Sequence, residues 1–174
     1  MKKLFAIFAV GLLVWSCGGN SEKRVKTFSD VEQEFASTLT EADTAKVLAM
    51  GNQFLDSIRS GNVAWSLDQL NEIDSVGAIV PISTSTRERL EARFRNFPVV
   101  DYELDYYAFS LSGLNDLKYR TFFQPSESRE AGAPGMSMMF NPVKKDGEWY
   151  LCLKEAGQPA KDASSAIDPR TIVE

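Results

Sequence analysis

The apolar residues of this chain change their spacing at Pro98. In the segment after Thr40, apolar positions such as Val47 and Leu55 fall on one helical stripe. After Pro98, residues 99–111 alternate between apolar and polar positions, which is the period of a strand with one buried face. A chain that is helical first and extended afterwards predicts an α+β fold.

Local capping signals divide the first half into three helices. Helix starts are predicted at Ser29 with Glu32, at Thr40, and at Ser85 with Glu88. A further short segment is predicted to turn helical from Val63. Gly51 lies on the apolar stripe of the longest helix, where the missing side chain would let another element approach closely.

The second half predicts two long hairpins. The expected parts are a strand over 99–111, a turn over 112–116, and strands over 117–124, 136–143 and 148–154. Asp146-Gly147 is a strong signal for the turn of the second hairpin. The first strand is long, and its alternation breaks down near its end, so we expect a bulge or a strong bend near 106–108.

This order of elements resembles the nuclear-transport-factor-2-like superfamily, also called the cystatin-like cone. The resemblance covers residues 40–154 and includes the hairpin VKKDGEWYLCL, because Asp-Gly followed by Trp and an apolar strand is common in that family. It implies N-terminal helices packed on a strongly curved antiparallel sheet of about four to six strands. The superfamily contains dehydratases, isomerases, cyclases, transport adaptors and modules without catalysis, so the resemblance does not assign an activity.

A cone of this kind would enclose a pocket between helices and sheet. The residues expected there are Trp65, Tyr102, Tyr106, Phe122, Met138 and Trp149. Aromatic residues with polar tips suit an apolar ligand that also needs a hydrogen bond. The stronger interpretation is that the same residues are simply the core that a one-faced sheet must bury.

Catalysis is the alternative function for such a pocket. Asp105 beside Tyr106 supplies residue types that resemble those of dehydratases and isomerases in this superfamily. Neighbouring strand residues point to opposite faces unless a bulge intervenes. The chain contains no histidine for acid–base work near neutral pH. We therefore assign no catalytic residue and no cofactor. The alternatives to a binding module are an enzyme acting on a small organic substrate and an inhibitory or structural partner whose cone is filled.

Two clusters could be considered as metal sites. Asp101, Glu103 and Asp105 offer oxygen ligands, but side chains at every second strand position are spread over about 13 Å and cannot share one ion. Met136 and Met138 could suit Cu(I), although methionine is an ordinary core filler. A solvated face and core packing explain these clusters better, so no metal site is predicted.

The N-terminus carries the pattern of a secretory signal. Lys2 and Lys3 are followed by an apolar run from residue 4 to 15, a small residue and Cys17. The run is shorter than the roughly 20 residues that a transmembrane helix needs. The string LVWSC resembles the lipobox of bacterial lipoproteins, which implies that residues 1–16 are a signal peptide and that Cys17 receives a lipid.

Two other roles are conceivable for Cys17. It could be a core residue or the disulfide partner of Cys152, the only other cysteine. A signal-like segment is the wrong setting for either role. Cys152 is then a single cysteine on an apolar strand, where it is expected to be a small buried hydrophobe.

These signals predict a domain plan and an address. Residues 17–27 form a tether, 28–156 a single domain and 157–174 a mobile or surface-draped tail. No acidic run follows Cys17, which favours an outer-membrane anchor with the domain facing the periplasm.

The charge of the chain limits its partners. Removing residues 1–16 removes Lys2 and Lys3 and changes the formal net charge from −5 to −7, which argues against nucleic acid. The predicted partners are the membrane, reached through the lipid, and either a small apolar ligand or another envelope protein. The sheet could also serve as a homodimer interface. The predicted function is a lipid-anchored binding module of the cell envelope.

Overall fold

The computed structural model describes residues 26–154 and contains an α+β domain. Its helices are α1 (Phe28–Ser37), α2 (Glu41–Arg59), α3 (Val63–Asp68) and α4 (Thr84–Asn96). Its strands are β1 (Asn71–Ile73), β2 (Ile79–Pro81), β3 (Asp101–Leu111), β4 (Leu114–Phe122), β5 (Gly135–Lys145) and β6 (Glu148–Leu153). The predicted fold class is confirmed. The predicted signal peptide with Cys17, most of the tether and the tail over 157–174 lie outside the described residues.

The strands form one open six-stranded sheet in the order β2-β1-β6-β5-β4-β3. All neighbouring pairs are antiparallel except β1 and β6, which meet in parallel at Asn71 and Cys152. The sheet is therefore mixed, whereas a purely antiparallel sheet was expected. The short β1 was not predicted, and the long connection between β1 and β6 is what permits a parallel pairing.

Only one of the predicted helix caps is the observed one. Thr40 caps α2 together with Asp43, as expected for its segment. Helix α1 is capped by Thr27 with Asp30, two residues before the predicted pair, and α4 is capped by Ser83 instead of Ser85. Runs of hydroxyl-bearing residues offer several equivalent caps, so sequence spacing alone does not select one.

The second hairpin turns at the predicted residues. Asp146 and Gly147 both have positive φ, at 52° and 83°, as a two-residue turn with the twist of its strands requires. The first hairpin differs, because β4 already begins at Leu114. Asn115 and Asp116 therefore belong to a strand, although they were expected in the turn.

The helices pack on one face of the sheet, which we call the core face; the opposite one is the outer face. Gly51 of α2 lies against Tyr119 and Leu117 of β4, as predicted for a glycine on the apolar stripe. Leu67 of α3 and Leu90 of α4 join the same buried cluster. Strand alternation then places Asp116 and Lys118 on the outer face.

A bulge in β3 changes which residues reach the core face. The register shifts between Leu104, opposite Tyr119, and Tyr106, opposite Lys118. Tyr102 and Leu104 therefore face the core before the bulge and Tyr107 does so after it. The predicted bulge exists, but it lies slightly earlier than 106–108.

Candidate functional site

The centre of the space between helices and sheet is filled by aromatic side chains. Tyr119, Phe140 and Phe54 are each at most 2% exposed. The rings of Phe54 and Phe140 lie 5.3 Å apart, and those of Tyr119 and Phe140 lie 6.2 Å apart. Both pairs are edge to face, an arrangement typical of packed cores. These side chains fill the space between α2 and the middle of the sheet.

The tyrosine hydroxyls in this core are bound to α2. Tyr119 donates a hydrogen bond to Asn52 Oδ1 at 2.9 Å, and Tyr102 donates one to Asp56 Oδ1 at 3.0 Å. Burial raises the pKa of Tyr119, and burial together with the bond to Asp56 raises the pKa of Tyr102 to about 12. Both phenols are therefore neutral near pH 7 and act as structural hydrogen-bond donors.

Three of the six residues expected to line a cavity lie on the core face. Met138 and Trp149 are at most 5% exposed and belong to the buried cluster, and Tyr102 is partly buried against it. Trp149 donates its indole hydrogen to Asp43 Oδ1 at 2.7 Å. These three side chains pack against protein groups, which agrees with the alternative in which they form core.

The other three expected residues lie elsewhere. Tyr106 and Phe122 are on the outer face, Tyr106 because of the bulge and Phe122 because it follows the alternation of β4. Trp65 of α3 is 42% exposed. The structure therefore does not bring the six residues together around one space.

Trp65 borders a small surface groove between α2, α3 and β6. Met50, Phe54 and Leu151 provide its apolar walls, and the groove has a volume of about 80 Å³. Pockets for small ligands usually have about 300–1,000 Å³. The groove is too small for such a ligand, but it leaves a tryptophan accessible beside apolar groups.

The outer face contains a buried cluster that the sequence did not reveal. Lys154 Nζ forms an ion pair with Asp116 Oδ1, and each side chain is only 2% exposed. Tyr106 donates a hydrogen bond to Asp116 Oδ2 at 3.5 Å. Because the ammonium neutralises the carboxylate, this cluster is a compensated pair. Asp116 was expected in a turn, and no local sequence pattern links Asp116 to Lys154, so this ion pair was not predicted.

Buried asparagines extend this polar network toward the hairpin ends. Asn115 donates to the carbonyl of Pro142 at 2.6 Å and accepts from the amide of Ser110 at 2.8 Å. Asn141 accepts from the amide of Asn115 at 2.8 Å and donates to the carbonyl of Gly113 at 3.0 Å. These bonds use backbone groups of both hairpins, so their role is structural.

The acidic residues of β3 are paired with basic side chains. Arg129, in the β4–β5 loop, binds Asp101 at 2.9 Å and also Glu103. Asp105 binds Lys118 at 2.7 Å. Among residues 26–154, no group of three or more acidic, histidine or cysteine side chains could hold a metal ion.

Arg129 also holds its loop against the sheet. Its guanidinium lies 3.6 Å from the centre of the Phe122 ring. The loop and the strand border a groove of about 420 Å³ whose lining includes Glu103, Arg120 and Glu130. Two acidic residues, Glu103 and Glu130, and two basic ones, Arg120 and Arg129, line this groove, so its charges largely compensate each other.

Cys152 is fully buried in β6 and is a free thiol. Burial raises its pKa to about 12, so it is protonated at neutral pH and a poor nucleophile. Its predicted role as a small buried hydrophobe agrees with this position. None of the helices in the described part of the chain has the length and hydropathy that crossing a membrane requires.

Comparison with protein-family models, with curated proteins and with solved structures finds no match for this chain. The resemblance to the cone superfamily and to the lipobox therefore remains a prediction. Functional inference depends on the chemistry of the residues described above.

Proposed function

We propose that this protein is a lipid-anchored, non-catalytic module of the cell envelope that binds another envelope protein through its exterior. The observation that carries the proposal is the contact between α2 and the sheet at Gly51. A β-carbon on residue 51 would lie 2.6 Å from the Tyr119 hydroxyl and 2.8 Å from Leu117. Helix and sheet are in direct contact there, which favours an exterior partner over an enclosed ligand.

The titratable side chains of the described residues also favour binding over catalysis. Asp105, the candidate acid, has a side chain 44% exposed and pairs with Lys118 on the outer face. Tyr102 and Cys152 have pKa values raised to about 12, far from the range for proton transfer at neutral pH. The sequence has no histidine to replace them.

The anchor is proposed from Cys17 and the segment before it, which lie outside the described residues. The domain begins with Lys26 and Thr27, close to Cys17 in sequence. Residues 18–25 can span at most about 28 Å when fully extended. A lipid on Cys17 would therefore keep the domain near the membrane surface, where other envelope proteins are concentrated.

The anchoring part is tested by cell fractionation. The full-length chain and its Cys17→Ser variant are expressed in a bacterium, and membrane association is measured by partitioning into detergent. The parent protein should enter the detergent phase with an acylated N-terminus at Cys17, identified by mass spectrometry. Partitioning of the Cys17→Ser variant equal to that of the parent would contradict the proposal.

The choice between an exterior partner and an enclosed ligand is tested with an apolar dye, N-phenylnaphthylamine. Fluorescence titration of the folded domain should show no saturable binding. Leu117→Ala, which truncates a fully buried side chain beside Gly51, is the matched control: the cavity that it leaves is of the size that holds benzene and is too small for this dye, so the variant should show no saturable binding either. Saturable binding by the parent protein would support an open cone.

The exterior partner is tested by photo-crosslinking in cells. A photoreactive amino acid replaces Trp65, because exposed tryptophans are enriched among residues that dominate binding energy. The same amino acid at Glu88, an exposed residue of α4, is the control. A discrete crosslinked protein at Trp65 and none at Glu88 would support the proposal. The absence of crosslinks at Trp65 in anchored protein would contradict this surface.

A further inference from the structure

The outer face of the sheet is exposed at one end and buried at the other. At the exposed end lie Glu103, Arg120 and Ser137. At the other end six residues are at most 8% exposed, a set that we call the outer patch: Tyr106, Ala108, Asp116, Val143, Cys152 and Lys154. An ion pair as buried as that of Asp116 and Lys154 needs a cover that excludes water.

No described helix provides this cover. Helix α2 packs on the core face through Gly51, α1 reaches the core cluster through Phe35, and Leu39 in the connection between them packs on the same cluster. Leu67 of α3 and Leu90 of α4 belong to that cluster as well. The β4–β5 loop is held near Phe122, at the exposed end of the outer face. Within residues 26–154, the outer patch is therefore buried without a helix or loop packed over it.

We infer that the C-terminal segment, residues 155–174, docks on the outer patch and shields the ion pair of Asp116 and Lys154. Continuity of the chain supports this occupant, because Lys154 is both a member of the patch and the residue from which the segment continues. The segment has enough length, since the patch spans four strands and therefore about 15 Å. Twenty residues can extend over roughly 66 Å.

The composition of the segment fits this role. Ile167, Ile172 and Val173 can cover the apolar members of the patch, while Arg170 and Asp168 are available for its polar members. The residues that precede the domain are less suited to cover the outer patch. Between Cys17 and Lys26 the chain is GGNSEKRV, which carries a single large apolar residue, Val25. Docking of the C-terminal segment also removes this part of the outer face from homodimer formation.

Cys152 provides a direct test, because it is a fully buried member of the outer patch. The full chain carrying Cys17→Ser has this thiol alone, and its alkylation by iodoacetamide is measured under native conditions. Ile167→Asp, Ile172→Asp and Val173→Asp are combined to weaken docking. The combined variant should react about tenfold faster or more, which corresponds to about 1.4 kcal/mol of easier local opening.

The matched control adds the same charge at small or polar positions of the segment. Ala163→Asp, Ser164→Asp and Ser165→Asp together should change the alkylation rate less than about twofold, because surface changes away from packing contacts are usually small. Equal rates in the parent chain and the apolar-to-Asp variant would overturn the inference. Equal acceleration by both variants would overturn it too, since added charge alone would explain the effect.

A second measurement applies if the apolar-to-Asp variant does not fold. A nitroxide is attached to Ile172→Cys in a full chain carrying Cys17→Ser and Cys152→Ser, and amide signals are recorded by NMR. Docking predicts broadening at Val143 and Ala108 of the outer patch and much less at Leu67 on α3, across the core. Equal intensities at these positions, with and without the nitroxide, would overturn the inference.

Discussion

The hydroxyl of Tyr119 lies where a side chain on residue 51 would begin: a β-carbon built there would be 2.6 Å away. This contact joins the middle of α2 to the centre of the sheet. It explains why a glycine is found inside a long helix, where it costs about 1 kcal/mol of helix propensity relative to alanine. The close packing that glycine permits outweighs this cost.

We therefore predict that Gly51→Ala destabilises the domain by about 1 to 3 kcal/mol, the range for overpacked cores. The added methyl group would also meet Leu117 at 2.8 Å, and both neighbours are fully buried. Urea unfolding measures the change. Gln53→Ala, at an exposed position of the same helix, should change stability by less than about 0.5 kcal/mol. A Gly51→Ala protein more stable than the parent would show that the sheet can move away.

Asp43 connects the start of α2 to the second hairpin, and its charge is important for stability. It accepts hydrogen bonds from Lys144 Nζ at 2.8 Å and Trp149 Nε1 at 2.7 Å. The hydrogen bond from Lys144, followed by that from Trp149, holds the pKa of Asp43 well below its usual range. Asp43→Asn should cost about 1.5 to 3 kcal/mol at pH 7, as hydrogen bonds to charged groups do.

The pH dependence of this cost has a definite sign. Because the folded-state pKa is depressed, the stabilisation by Asp43 is fully present above the unfolded-state pKa of about 3.9. It is lost as the pH falls from there toward the folded-state pKa. The difference between the parent and Asp43→Asn should thus be constant from pH 7 to 5 and shrink below pH 4 in urea titrations. Glu41→Gln, exposed in the same first turn, is the control.

The ion pair of Asp116 and Lys154 should respond differently to single and double replacement. Lys154→Met removes the ammonium that pairs with a carboxylate only 2% exposed and should cost about 3 to 5 kcal/mol. Replacing both residues, as Asp116→Leu with Lys154→Met, should cost less than the single change because no charge remains buried. Urea unfolding of the parent, of Asp116→Leu, of Lys154→Met and of the double variant provides the double-mutant cycle.

The matched control for this pair is Lys118→Met, which breaks the pair with Asp105. Its side chains are 28% and 44% exposed, so the loss should be at most about 1 kcal/mol. A Lys154→Met loss as small as that of Lys118→Met would mean that water reaches Asp116.

Arg129 should determine how firmly the β4–β5 loop is held. Arg129→Ala removes the bonds to Asp101 and Glu103 and the stacking on Phe122, so Glu127 and Glu130 in that loop should be cut faster by a glutamyl endopeptidase. Arg129→Lys keeps the charge but loses the fork geometry, and its cutting rate should be intermediate. Lys145→Ala, at the turn between β5 and β6, should leave the rate of cutting in the β4–β5 loop unchanged. Equal rates for Arg129→Ala and the parent would show that other contacts hold the loop.

Local sequence patterns predicted the framework of the domain correctly. The start of α2 at Thr40, the turn at Asp146-Gly147 and the close contact at Gly51 all follow from properties of short segments. The predicted set did not form a common site: the bulge between Leu104 and Tyr106 moves Tyr106 to the outer face, Phe122 lies there by the alternation of β4, and Trp65 is exposed on α3. A shift of one residue reverses the side of every later side chain in a strand.

The sequence by itself determined the order of the helices and of the two long hairpins, since periodicity, caps and turn residues act over a few neighbouring positions. Only the tertiary structure decided which residues come together on the core face and which on the outer face. Asp116 and Lys154 are 38 residues apart in the chain and meet because β4, β5 and β6 are neighbours in the sheet. The filling of the core by Tyr119, Phe140 and Phe54 also depends on strand register and helix position, which are set by packing of the whole domain and cannot be read from any one segment.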